Sequence, residues 1–325
     1  MTLLRVLSAT AIGLALAACG QSNTPSVTTT SQPAATAPAP VKKEIGLVMK
    51  TLTNPFFVEM EKGARRAEQE LGISLKVKTA AQETSIEQQI QLVEDLIAAK
   101  IDAIVIAPGD SQRLIPTLKK AADAGIKIIN IDNRLDPETV KQAGMAPIAF
   151  VSVDNDAGAY KAGKFLAEGV TAPAEAAILE GIRSADNARQ RMEGARRALL
   201  ENKNIKVVAS ESANWNLDEA YATTKAMFAK HPNIKIVFAA NDMMAIGAAK
   251  YLQESGKGSV KLAGYDALDE AIAGIKAGHM VATVDQQASE QGYQGVVLAL
   301  KLLQGASVPA NTTIDTRLVN AATLK

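Results

Sequence analysis

The chain has 325 residues, with 35 basic against 34 acidic side chains and a net charge of +1 at pH 7. The charges are well mixed, which leaves neither a nucleic-acid footprint nor an acidic tail, and a single cysteine excludes an internal disulfide and a thiolate metal site. His231 and His279 are far apart and have no ligand spacing, so neither a metal nor a cofactor is expected.

In chain order, residues 1–18 read as an export signal. Arg5 supplies a positive charge, Val6 to Ala17 form a mostly apolar run too short for a permanent span, and Ala17 and Ala18 precede Cys19. The run Leu16-Ala17-Ala18-Cys19 resembles the lipobox of bacterial lipoproteins. That resemblance implies cleavage before Cys19, lipidation of its sulfur, and a protein held by this anchor on the extracytoplasmic face of a membrane. Residues 19–41 consist almost wholly of Ser, Thr, Pro, Ala, Gln and Gly after the cysteine, and read as a flexible tether.

From Glu44 onward, short β-rich runs alternate with longer helical patterns. Strands are expected at Ile45–Met49, Leu75–Thr79, Ile101–Ala107, Ile126–Ile131 and Pro147–Val153, with helices at Phe57–Leu71, Ser85–Ala99 and Ser111–Ala124. The second helix is expected to carry Ile86, Ile90, Val93 and Ile97 on one face. The second half repeats the pattern. Its strands are expected at Ala176–Leu179, Ile205–Ala209, Ile234–Ala239, Val260–Gly264 and Val281–Val284. Its helices are expected at Asp156–Glu168, Ala188–Glu201, Leu217–Ala229, Met243–Glu254 and Leu268–Ala277. A final helix over Ser289–Leu303 and one last strand over Thr313–Val319 close the chain. Strands alternating with helices of this length mean parallel sheets, so the fold class is α/β: two doubly wound lobes.

In such sheets the ligand crevice lies beyond the carboxyl ends of the strands. The residues that follow the strands are polar or aromatic: Lys50, Asn54, Phe56 and Phe57; Asp110; Asp132, Asn133 and Arg134; Arg189 and Arg191; Asn214 and Trp215; Asn241 and Asp242; Tyr265 and Asp266; and Gln286. Taken singly, several have plain explanations. Lys50 reads as a solvated strand-end lysine, one of Phe56 and Phe57 as core, and Arg189 and Arg191 as part of a charged helix face. Asp132 and Asp266 resist this reading, because each ends an apolar strand where an unpaired carboxylate would be costly. Their common location carries the argument. Planar acceptors and donors, a guanidinium fork and flat aromatic walls suit adjacent hydroxyls and the C–H faces of a sugar ring. Walker, Gly-x-Gly-x-x-Gly and Gly-x-Ser-x-Gly signatures are missing, which speaks against nucleotide binding and serine hydrolysis.

These residues carry a family resemblance. Lys50 followed by Asn54-Pro55-Phe56-Phe57, the strand-end Asp132, Asn241-Asp242, Gly264-Tyr265-Asp266, and Ala282-Thr283-Val284 before Gln286 resemble the periplasmic sugar-binding proteins of ABC importers. The ribose-, allose- and galactose-binding group is the nearest in pattern. The resemblance implies two flavodoxin-like lobes joined by a three-strand hinge, 44–153 plus 287–313 and 154–286 plus 314–325, with no catalytic activity. It implies hydroxyl binding by Asn54, Asp132, Arg191, Asn241, Asp266 and Gln286, and ring stacking on Phe56, Phe57 and Trp215. Tyr265 stands where ribose-binding relatives have Phe. Lys50 and Trp215 agree with allose-binding relatives, whereas Asn133 departs from both groups and is expected to read a hydroxyl in its own way. The implied partners are a monosaccharide and the transmembrane subunits of a permease, with the protein acting as a monomer. A sugar or polyol sensor that hands its closed form to a membrane receptor is the alternative. An enzyme acting on a small polar substrate through Asp132, Lys50 or Asp266 is a further one.

Overall fold

The computed structural model describes residues 42–324, which belong to one compact unit. The expected signal peptide, Cys19 and the tether lie outside the described residues.

The first half runs β1 (Glu44–Met49), α1 (Pro55–Leu71), β2 (Ser74–Thr79), α2 (Ile86–Ala98), β3 (Ala103–Ile106), α3 (Ile115–Asp123), β4 (Lys127–Ile131), α4 (Pro137–Gln142) and β5 (Ala149–Val153). The second runs α5 (Asn155–Ala167), β6 (Ala174–Glu180), α6 (Asp186–Leu200), β7 (Ile205–Ser212), α7 (Leu217–Lys230), β8 (Ile234–Ala239), α8 (Asp242–Glu254), β9 (Lys261–Ala263), α9 (Asp269–Lys276) and β10 (Ala282–Asp285). The chain ends with α10 (Ala288–Leu303), β11 (Asn311–Ile314) and β12 (Arg317–Asn320).

The strands form two six-stranded sheets, β11-β5-β4-β3-β1-β2 and β12-β10-β9-β8-β6-β7. Apart from the edge strand, each follows the same doubly wound order, and every pairing is parallel except that of β10 with β12. Three passages cross between the sheets: after β5, between β10 and α10, and between β11 and β12. The single last strand expected over Thr313–Val319 is therefore two strands, one for each sheet. The break falls within the polar run Asp315-Thr316-Arg317, which carries no glycine or proline to mark it.

Helices cover both faces of each sheet. Sheet one lies between α1 with α10 and α2 with α3, and sheet two between α5 with α6 and α7 with α8. Strand β3 is buried along its whole length, as a strand covered on both faces must be. Helix α1 starts and stops where local chemistry dictates. Asn54 Oδ1 accepts the Phe56 backbone N–H at 3.0 Å, Pro55 fills the first turn, and Gly72 takes φ 66° at the end.

Helix α2 turns Ile86, Ile90, Val93 and Ile97 to one core, the first and third fully buried and the other two half-buried against it. Gln89 and Leu96 are buried beside them, and Gln89 is satisfied there: its Nε2 donates to the Ala107 carbonyl and its Oε1 accepts from Gly109 N–H. Two local expectations are corrected. Helix α3 begins at Ile115, not Ser111, because Asp110 Oδ1 accepts the N–H groups of Gln112 and Arg113 and holds that stretch as a turn. Helix α4 has no counterpart among the expected elements. It buries only Val140 and so carries no apolar period, although Asp136 capping Thr139 N–H and Pro137 in the first turn are a start signal.

The pairing of α1 with α10 closes the first lobe from segments far apart in sequence, and it depends on backbone approach. A methyl group at Gly63 would lie 1.7 Å from the Ser289 carbonyl oxygen, and one at Gly292 would lie 2.1 Å from that of Met60. Gly63→Ala is expected to lower stability by about 1–3 kcal/mol, an overpacking cost, in thermal or denaturant unfolding. Unchanged stability would show that the two helices separate easily.

Candidate functional site

Because the two sheets point their carboxyl ends at each other, the loops that follow the strands face across one cleft. There they line a small cavity of about 20 Å³, room for the centres of about one or two waters. Lys50, Asn54, Phe56, Phe57 and Asp132 line it from the first lobe. Arg191, Trp215, Asn241 and Asp266 line it from the second, and Gln286 from a crossing segment. Two further lining residues, Glu83 and Asn187, are absent from the expected set. Glu83 follows β2, and applying the strand-end rule to that strand as well would have reached it. Asn187 opens α6 in a stretch dominated by charges, where only the sheet-end position marks it.

Lys50 and Arg191 are not solvated. Each is 3% exposed, and each is held by a carboxylate. Lys50 Nζ lies 2.9 Å from Asp132 Oδ2, an ion pair without hydrogen-bond geometry, and 5.5 Å and 5.9 Å from the centroids of Phe57 and Trp215. The Arg191 guanidinium donates to Asn155 Oδ1 at 2.8 Å, to the Ala240 carbonyl at 3.0 Å and to Gln286 Oε1 at 3.1 Å. Its Nη1 lies 3.6 Å from Asp266 Oδ1. Gln286 Nε2 in turn donates to Asp266 Oδ1 at 2.6 Å. A carboxylate–guanidinium–amide cluster is thus assembled before any ligand arrives.

Several of these positions take backbone conformations that side chains rarely adopt. Asp132, Trp215 and Asp266 have φ of 61°, 67° and 128°, each costing of the order of 1–3 kcal/mol. Asp132 is held there by its N–H to the Val151 carbonyl and by Ser152 Oγ donating to its own carbonyl. The Trp215 indole lies against Gly181, where a Cβ would meet Cζ2 at 2.1 Å, so only glycine leaves room for the ring. Phe56 and Phe57 pack edge to face, 5.0 Å apart, and both are buried at the cavity wall.

Not every polar group is free. Asn54 and Asn241 each use the side-chain oxygen to cap a helix, accepting from Phe56 and Met244 N–H, and each commits an amide proton, to Glu83 and to the Trp215 carbonyl. One amide proton on each remains for a ligand. Among the described residues, five buried side-chain polar atoms find no hydrogen-bond partner. Three of them, Asp132 Oδ2, Asn187 Oδ1 and Trp215 Nε1, sit on cavity residues. That concentration points to a polar occupant.

Burial raises two of the carboxyl groups. Asp266 is pushed well above the usual carboxylate range by desolvation, against the pull of Arg191 and with a push from Asp242. Glu83 is raised by desolvation, against the attraction of Lys50 and the Asn54 hydrogen bond. Behind the site, burial lifts Asp242 to about 6 although Thr283 Oγ1 and the Leu268 N–H donate to it.

The expected residues Asn133 and Tyr265 do not line the cavity. Asn133 is fully buried behind it: its Nδ2 donates to the Pro108 carbonyl, and its Oδ1 accepts the backbone N–H of Asn187 from the opposite lobe at 3.2 Å. An amide there can turn both ways into the protein, which removes it from a ligand's reach. Tyr265 lies under Arg191, ring centroid to guanidinium carbon 3.9 Å, and serves as a floor for the fork. Of the other strand-end residues, Arg134 stacks on Phe150 and donates to Asn311, and Arg189 is a surface residue paired with Asp186.

The lobes touch across the cleft. Ser111 N–H donates to the Ser184 carbonyl at 3.1 Å, Asp186 N–H to Ser111 Oγ at 3.0 Å, and Asn187 to Asn133 as above. Among the described residues no His, Cys, Asp and Glu cluster could hold a metal, and no helix is long and apolar enough to cross a membrane.

With this geometry in hand, the similarities to known proteins are specific. A family model described as periplasmic binding protein domain matches residues 45–307. The chain is 41% identical to the D-ribose/D-allose-binding protein of Pseudomonas aeruginosa, covering 83% of this chain and 85% of that protein. It is 34% identical to the D-allose-binding periplasmic protein of Escherichia coli, covering 86% and 90% respectively. Among solved structures, an ABC transporter periplasmic solute-binding protein from Actinobacillus succinogenes with bound D-allose is 41% identical. It superposes with a TM-score of 0.82 and covers 87% of this chain and 99% of its own.

Proposed function

The chain belongs to the periplasmic binding protein family, and from that premise we propose that it is the sugar-binding lipoprotein of an ABC importer. It captures a monosaccharide, an allose- or ribose-like aldose, between its lobes and delivers it to a membrane permease. The observation that carries this reading is the facing of two charge pairs, Lys50 with Asp132 and Arg191 with Asp266, across a small cavity walled by Phe57 and Trp215. The names of the Pseudomonas and Escherichia relatives and the allose-bound Actinobacillus structure support an aldose as the occupant. Phe56, Phe57 and Trp215 would stack on the ring. Asn54, Asp132, Asn187, Arg191, Asn241, Asp266 and Gln286 would meet its hydroxyls. The preformed network spends its hydrogen bonds on holding a binding geometry, which favours capture over catalysis. The anchor would be Cys19, after removal of residues 1–18; Cys19→Ser should release the protein from the membrane fraction.

Trp215 is the only tryptophan in the chain and lies at the cavity wall. Titration with D-allose, D-ribose and a panel of other aldoses, ketoses and polyols, followed by its fluorescence, should give a saturable change with one or two sugars. Silence across the panel, repeated by calorimetry, would overturn the reading.

Capture works by population shift: the ligand bridges both lobes and favours the closed form by its preference for that form alone. The Asn133–Asn187 and Ser111–Ser184 bonds exist only when the lobes meet. Their energy therefore adds to apparent affinity without touching the sugar. Asn133→Ala removes one such bond, worth about 1 kcal/mol, and is expected to weaken binding by about five- to tenfold. Small-angle scattering with saturating sugar should still show compaction. Unchanged affinity would mean that closure does not draw on this contact.

A further inference from the structure

Glu83 stands at the edge of the charge pairing of the cavity. Lys50 belongs to Asp132 at 2.9 Å and Arg191 to the Asp266 side, whereas Glu83 Oε2 stands 4.0 Å from Lys50 Nζ, outside hydrogen-bond range. Its Oε1 accepts from Asn54 Nδ2 at 2.8 Å. The side chain is 10% exposed and lines the cavity. A carboxylate this buried without a cation of its own is costly unless hydrogen-bonding groups meet it, and Oε2 still has its acceptor capacity.

Its position is also particular. Glu83, Asn54 and Trp215 line a second, wider space of about 380 Å³ that continues between the lobes, where Thr84, Asn214 and Asp218 form part of the wall. Glu83 therefore stands at the threshold between the enclosed cavity and the cleft mouth. The loop that carries it is fixed from both sides. Thr51 Oγ1 donates to the Ala81 carbonyl, and Ala81 N–H donates to Gln88 Oε1.

We propose that Glu83 is a specificity-determining residue whose Oε2 accepts the hydroxyl on the end of the sugar that faces the cleft mouth. This rests on the sugar-binding reading above. A hydroxyl donated to a buried carboxylate is read strictly, because an analogue lacking it leaves the carboxylate unpaired.

The test is calorimetry of the protein and its Glu83→Ala variant with the tightest-binding aldose and each of its monodeoxy forms. The native protein should lose about 10–100-fold in affinity on removal of the hydroxyl in question. In Glu83→Ala that one penalty should disappear while the other deoxy penalties stay. If Glu83→Ala weakens the parent sugar and every deoxy form by the same factor, Glu83 merely positions Asn54 and Lys50 and the proposal fails. Should the alanine variant not fold, Glu83→Gln keeps an oxygen for Asn54 and should reduce the penalty at the same single position. A uniform loss in that variant overturns the proposal equally. If the native protein binds no aldose at all, the sugar-binding reading falls first and takes this one with it.

Discussion

Arg191→Ala is expected to weaken sugar binding by about a thousandfold or more, equivalent to about 4 kcal/mol. The guanidinium is the hub of the second lobe's half of the site. It donates to Asn155, the Ala240 carbonyl and Gln286, lies 3.6 Å from Asp266 and rests on the Tyr265 ring. Truncation removes the fork and also strands its partners: Asp266 keeps only Gln286, and a carboxyl already raised by burial becomes neutral more readily. Breaking a buried pair on one side typically costs about 3–5 kcal/mol of stability, so the melting temperature should fall as well. Arg191→Lys separates the two effects. It keeps a positive charge near Asp266 and should recover much of the stability, but one ammonium cannot reproduce three directed donors, so affinity should remain far below native. Calorimetry and thermal unfolding on both variants check this. An alanine variant that binds within tenfold of native would remove Arg191 from the ligand-reading set.

Much of this site was legible before any coordinates, for a physical reason. Parallel strands covered on both faces must be apolar along their length, so the first polar residue after each run marks the sheet edge, and in Lys50, Asp132, Asn241 and Asp266 that edge is the cavity. What strand-end reading does not supply is the direction of a side chain. Asp132 and Asn133 are adjacent, yet Asp132, at positive φ, lines the cavity while Asn133 turns back to Pro108 and across to Asn187. Likewise Tyr265 and Asp266 follow the same strand, but only the second reaches the cavity. Such turns depend on contacts from the other lobe, which no local window contains. The break between β11 and β12 was hidden for a related reason: only two residues, neither glycine nor proline, separate the strands, and only the sheet each strand joins tells them apart.

Asp132 carries the second large expectation, and it tests whether the first lobe's ion pair serves binding or merely folding. Asp132→Asn keeps a side chain that tolerates φ 61° and keeps its shape, but leaves Lys50 buried with only Glu83 nearby at 4.0 Å. An uncompensated buried charge should cost about 3–5 kcal/mol of stability. Sugar affinity should fall by about a hundredfold or more, because an ionised acceptor facing hydroxyls becomes a neutral amide. Pairing the change with Lys50→Met removes both charges, and the stability of the double variant should recover towards native because no unpaired ion remains. Its affinity should not recover, since Oδ2 of Asp132 and Nζ of Lys50 are then both lost to the ligand. The double-mutant cycle therefore divides the pair's roles: coupling in the melting temperature reports the ion pair, and persistent loss in calorimetry reports the ligand contacts. A double variant that is stable and binds sugar like the native protein would assign the pair to folding alone and move recognition to the opposite lobe.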